Sequence, residues 1–158
     1  MTKANLIKEL SAYFKIQELV SKNVYDKYGE NAWQFFDVQL LETILVLRKH
    51  IIKKPMVCNN WQSGGSYSQR GLRENTAPMV WSKTNAGVIY LSAHCLGKAA
   101  DFSSSKVTAD TMRKLIVEYQ HELPHKVRVE GGMSAPTWLH IDVMTMPNQK
   151  EKVKFFEA

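Results

Sequence analysis

The stretch Tyr90-Leu-Ser-Ala-His94-Cys-Leu-Gly97-Lys-Ala99-Ala-Asp101-Phe102 decides how this chain is read. His94 and Asp101 stand seven positions apart, with Gly97 between them and small residues at Ala99 and Ala100. Fully extended, seven residues span about 23–25 Å, whereas two ligands of one metal ion converge on a point about 2 Å from each. The two side chains meet only if the chain folds back. Leu96-Gly97-Lys98 is the place for that, because glycine adopts the positive φ of a tight reversal without steric cost. The spacing predicts a strand over 88–94, a turn, and a return that brings an imidazole to a carboxylate.

A second stretch, Thr137-Trp-Leu-His140-Ile-Asp142-Val143, alternates. As a strand it sets Trp138, His140 and Asp142 on one face and Leu139, Ile141 and Val143 on the other. His94, Asp101 and His140 then make three N/O ligands with a fourth position left for water, the arrangement that catalytic zinc requires. The plainer alternative treats the three as ordinary structural polar residues, since His–carboxylate pairs are common as simple hydrogen bonds. Ser92, two positions before His94 on the same expected strand face, is placed to support the site.

These residues resemble a known family. Ser92-x-His94-x-x-Gly97-x-Ala99-x-Asp101, followed some 40 residues later by Trp138-x-His140-x-Asp142, is similar to the zinc D-Ala-D-Ala carboxypeptidase and L-alanyl-D-glutamate endopeptidase family of peptidoglycan peptidases, whose fold the hedgehog signalling domain shares. The resemblance runs loosely from about residue 14 to about residue 145. It implies one zinc ion held by His94, Asp101 and His140, and cleavage of peptidoglycan stem peptides. It also implies an arginine that binds the substrate's peptide or carboxylate groups. Arg70 leads for that role and Arg73 follows, because a guanidinium clamps a carboxylate through paired hydrogen bonds and steadies an oxyanion.

One position departs from the family pattern. Many members carry an acidic general base three residues before the second His, and here that residue is Thr137. Glu130 is the nearest substitute. A hairpin of 126–130 with 137–143 around Gly131–Pro136 would place it opposite about Trp138, one cross-strand neighbour from the His140 face. Asp142 is the rival base, although a carboxylate two residues on more often orients a ligand histidine. Thr137 also favours the alternative function, a zinc-stabilised cell-wall-binding domain without hydrolysis.

With 158 residues, 44% of them hydrophobic, the chain suffices for one cored domain and is short for two. No apolar run approaches a membrane span. Met1–Leu10 holds no apolar export segment, so the expectation is synthesis in the cytoplasm and action on the wall after release or lysis, as for a phage enzyme. A net charge of +6 suits anionic cell-wall polymers. The basic residues are scattered rather than set in a recognition motif, so no specific nucleic acid is expected. Cys58 and Cys95 have neither redox nor zinc-finger spacing and read as free thiols.

The expected fold is α+β, a single domain of N-terminal helices packed on a small, mostly antiparallel sheet that carries the site. Helical spacing marks residues 4–13, about 17–28 and, most strongly, 31–50, where Trp33, Phe36, Leu40, Leu41, Ile44, Leu47 and His50 trace one stripe. A buried strand is expected over 54–58, a binding loop over 59–73, an irregular segment over 74–88, and a helix capped by Thr108 over about 109–123. The lysine-rich residues 147–158 read as a loosely docked tail.

Overall fold

A computed structural model describes residues 1–158. The N-terminal half is a set of short helices, each started by its own cap. α1 (Lys3–Leu10) begins at Thr2, whose hydroxyl accepts from the Asn5 N–H. The helix expected over 17–28 is two, α2 (Ile16–Leu19) and α3 (Lys22–Tyr28), because Val20 is extended and bridges to Leu72 while Ser21 caps α3. The helix expected over 31–50 also divides. Gly29–Phe35 forms 3-10 turns, Phe36 is extended, and Asp37 caps α4 (Val38–Val46) by accepting from the Gln39 N–H. A short carboxylate satisfies orphan backbone donors at a helix start better than it serves mid-helix, and here that preference overrides a continuous apolar stripe. The stripe is still buried from Trp33 to Leu47, whereas His50 at its end is exposed. α4 runs on into a wider π turn at Leu47–Ile51.

Beyond the helices, three further expectations change. Residues 54–58 make only one bridge, Val57 to Ser103. The segment expected to be irregular contains α5 (Pro78–Asn85), with proline in its first turn, where the missing N–H costs nothing. The strand expected over 88–94 does not form: Val88–Ser92 has no ladder partner, and residues 93–97 are a turn. An apolar run becomes a strand only where a neighbour supplies hydrogen bonds, and none lies beside this one.

The sheet holds β1 (Ala99–Phe102), β2 (Val127–Glu130), β3 (Leu139–Asp142) and β4 (Val153–Phe156), in the order β1-β3-β2-β4. The first two pairings are antiparallel, and β2–β4 is parallel. The fold is therefore α+β with a four-stranded mixed sheet. The tail is not loosely docked: 153–156 completes the sheet, and the Glu157 carboxylate accepts from the Ser134 N–H at 2.9 Å.

Leu139, Ile141 and Val143 face the core, as the alternation predicts. Phe102 meets Phe14 at 5.9 Å between ring centroids, which ties β1 to the N-terminal helices. α6 (Ala109–Glu118), capped by Thr108 as expected, packs on β3 and on the π turn. Buried Arg113 in α6 donates to the carbonyls of Glu130, Ala135 and Trp138, and so holds the β2–β3 connection. No helix is long and apolar enough to cross a membrane.

Candidate metal centre

Asp101 on β1 and His140 on β3 are directly paired across the antiparallel ladder. That register brings His140 Nδ1 to 2.7 Å from Asp101 Oδ1. His94 arrives from the 93–97 turn, with Nε2 3.5 Å from Asp101 Oδ2. The reversal expected around Gly97 is present. Its φ is 66°, and a Cβ there would stand 2.1 Å from the Phe35 carbonyl oxygen. The Leu96 and Lys98 N–H groups close the turn onto the Ser92 and Ala93 carbonyls. One ligand atom from each of His94, Asp101 and His140 lies within 4.8 Å of the others.

The outward nitrogens are committed elsewhere, and this orients the inward ones. His94 Nδ1 is 2.9 Å from the Gly71 carbonyl oxygen. A carbonyl only accepts, so Nδ1 carries the proton and Nε2 turns a lone pair towards Asp101. Two acceptors then face each other at 3.5 Å, which is repulsive unless a cation lies between them. His140 Nε2 is 3.0 Å from Asp142 Oδ2. Asp142 is fully buried and gripped by Arg128, Nε to Oδ1 at 2.9 Å and Nη2 to Oδ2 at 3.0 Å.

Charge follows from these contacts. Burial drives the His94 pKa down to about 4, with Asp101 opposing only in part. Burial also disfavours the His140 cation, but hydrogen bonds to Asp101 and Asp142 outweigh it and raise that pKa to about 9. Asp142 loses solvation as well, yet His140 and Arg128 hold its carboxyl below the usual range. The centre therefore presents a neutral imidazole, a carboxylate, and a second imidazole whose inward proton sits against that carboxylate. A divalent cation placed there would replace that proton and relieve the facing acceptors. Two nitrogens and one oxygen, backed by a carbonyl and a carboxylate, fit zinc.

The centre lies in a cleft of about 610 Å³ whose lining includes Arg70, Arg73, Tyr90, Glu130, Trp138 and Phe156. Thr137 does not line it. The β2–β3 register differs from the expected one. Arg128 pairs with Asp142 and Val129 with Ile141, and the next step of that ladder sets Glu130 beside His140 rather than Trp138. Burial raises the Glu130 pKa; His140 pulls it down and Asp101 adds to the rise.

Arg70 is stacked 3.5 Å from the Tyr67 ring centroid and donates to Ser103 Oγ at 2.7 Å. Arg73 is only 7% exposed, its Nε is buried without a partner, and its side chain makes one hydrogen bond, a long one to Met79 Sδ. Ser92 is buried in the cleft wall just before the turn, not on a strand face.

Three contributors escaped the sequence reading. Arg128 shares the alternating face of Glu130, a signal that a paired register would have made legible. Phe156 stands edge-on to His140 at 5.8 Å and 4.8 Å from the Arg128 guanidinium, which no local pattern shows. Gly71 serves through its carbonyl. Comparison with protein-family models, curated proteins and solved structures finds no match.

Proposed function

We propose that this chain is a zinc-dependent peptidase that cleaves peptidoglycan stem peptides, of the D-Ala-D-Ala carboxypeptidase or L-alanyl-D-glutamate endopeptidase type with its hedgehog-like fold, and that it acts on the wall after lysis. The observation that carries this reading is the pair of acceptors, His94 Nε2 and Asp101 Oδ2, facing each other in a buried centre that His140 completes. His94, Asp101 and His140 would hold the zinc. Held there, zinc supplies a Lewis acid for a peptide carbonyl and lowers the pKa of water towards about 7.

The remaining work falls to the chain. Glu130, in the cleft beside His140 and with a raised pKa, takes a proton from the attacking water and returns it to the leaving amine. Asp142 is already bound by His140 and Arg128, so it orients His140 instead of acting as the base. Arg73, buried without a carboxylate partner, takes the substrate's carboxylate. Arg70 is partly committed to Ser103 and Tyr67 and comes second, the reverse of the order expected from sequence. Ser92 shapes the wall beside them.

Mass spectrometry of stem peptides incubated with zinc-loaded protein tests the reading. New termini should appear, vanish with chelator, and form about 10²–10⁴-fold more slowly with Glu130→Gln. Intact peptides from protein that retains one zinc would instead favour a wall-binding domain.

A further inference from the structure

The residues leading into His94 carry an unused main-chain edge. Val88–Ser92 runs without turn or bend. Neither the N–H nor the C=O of Ile89, Tyr90 or Leu91 has a hydrogen-bond partner, and the Ser92 N–H and Val88 C=O are also free. Four of the five side chains are apolar and exposed, Ile89 at 91% and Leu91 at 72%, while Ser92 is buried. Buried or paired placement is the rule for such a run, and an open edge of this kind is a template for another strand. Tyr90, Leu91, Ser92, Ala93 and His94 form one continuous wall of the cleft, and Arg73, whose Nε has no partner, lies in the same cleft.

We propose that Val88–Ser92 is the docking edge for the substrate: an extended peptide adds to it as a strand, which sets a peptide carbonyl at His94, Asp101 and His140 and an acidic group at Arg73. This rests on the peptidase reading above and goes beyond it by naming how the peptide is held. At about 3.3 Å per residue, the five-residue edge matches a peptide of four or five residues. Strand addition draws affinity from main-chain hydrogen bonds. Such bonds do not depend on which side chains the peptide carries, so the edge suits short stem peptides whose alanines offer little else to grip. Ile89 and Leu91 give the added strand apolar cover.

Hydrogen exchange of the zinc-loaded full chain, with and without the stem pentapeptide L-Ala-γ-D-Glu-L-Lys-D-Ala-D-Ala in excess, tests the edge directly. The amides of Ile89 and Leu91, which point to one side of an extended chain, should exchange fast alone and become protected when peptide is added, while those of Tyr90 and Ser92 on the other side should not. In parallel, Ile89→Pro and Leu91→Pro remove one free N–H each. With zinc content as in the parent, KM should rise about three- to tenfold while kcat is kept. Ile89→Ala retains the N–H and should raise KM less than Ile89→Pro.

Cleavage without protection of Ile89 and Leu91 overturns the docking edge and leaves the peptidase. Protection without cleavage keeps the edge and removes the peptidase. Absence of both overturns both. Protection that rises with protein concentration alone, without peptide, assigns the edge to a second copy of the chain and overturns the proposal.

Discussion

At the residue scale the centre works because each donor atom has had its alternatives removed. His94 is aimed by a backbone carbonyl, and His140 by a carboxylate that Arg128 holds in turn. An imidazole that turns freely offers either nitrogen. Here Gly71 and Asp142 each take one nitrogen and leave the other for the centre. Asp142→Asn leaves His140 in place but weakens the acceptor that orients it and breaks the charge pair with Arg128. Zinc affinity, read by competition with a chelating dye, should fall about 10–100-fold. An unchanged affinity would mean that Asp142 serves only as the ion-pair partner of Arg128.

At the element scale, the loop that carries Gly71 is held by a few close contacts. Leu72 N–H donates to the Leu19 carbonyl at 2.8 Å, and Ser21 N–H to the Leu72 carbonyl at 2.9 Å. A Cβ on Gly71 would lie 1.9 Å from the Leu19 oxygen, backbone against backbone. Gly71→Ala should therefore cost about 1–3 kcal/mol in urea unfolding, and it should also weaken zinc, because the His94 acceptor moves with the loop.

Glu74 fastens the other end of that loop, accepting from Ser21 Oγ and from Asn23 Nδ2. Partial burial opposes its charge, but those donated hydrogen bonds prevail and hold its pKa below the ordinary 4.5. The sign follows from linkage. A folded pKa below the unfolded one contributes stability that is complete above the unfolded value and is lost as pH falls through the folded value. Urea midpoints of the parent should thus fall below about pH 4.5 more steeply than those of Glu74→Gln, and parallel curves would remove this role from Glu74.

At the scale of the whole molecule, the centre joins segments far apart in sequence. The 93–97 turn, β1 and β3 supply its three side chains, and β4 closes the sheet beside them, with Phe156 against His140. A cation bound to such a centre stabilises the entire fold, because the unfolded chain does not hold the three donors together. At a thousandfold excess over its dissociation constant, zinc should add about 4 kcal/mol. For a chain of this length that is a rise in Tm of about 8–16 °C. Calorimetry with and without chelator measures it, and coincident transitions would show that these donors hold no metal.

What the sequence determined by itself is local in origin. The alternation of 137–143 places Leu139, Ile141 and Val143 in the core and His140 and Asp142 in the cleft, because a strand's side chains alternate whatever it pairs with. Gly97 marks the reversal that brings His94 to Asp101, because positive φ is a property of one residue. Only the tertiary structure decided what depends on neighbours. Residues 88–91 carry a strand's composition yet form none, because no ladder lies beside them, while 153–156, in a lysine-rich tail, becomes a strand because β2 has an open edge. Glu130 stands beside His140 through a register that no single segment encodes, and Gly71 reaches His94 through a backbone approach at Leu19. Hydrogen bonds between separate segments set each of these, and the local pattern of neither segment specifies its partner.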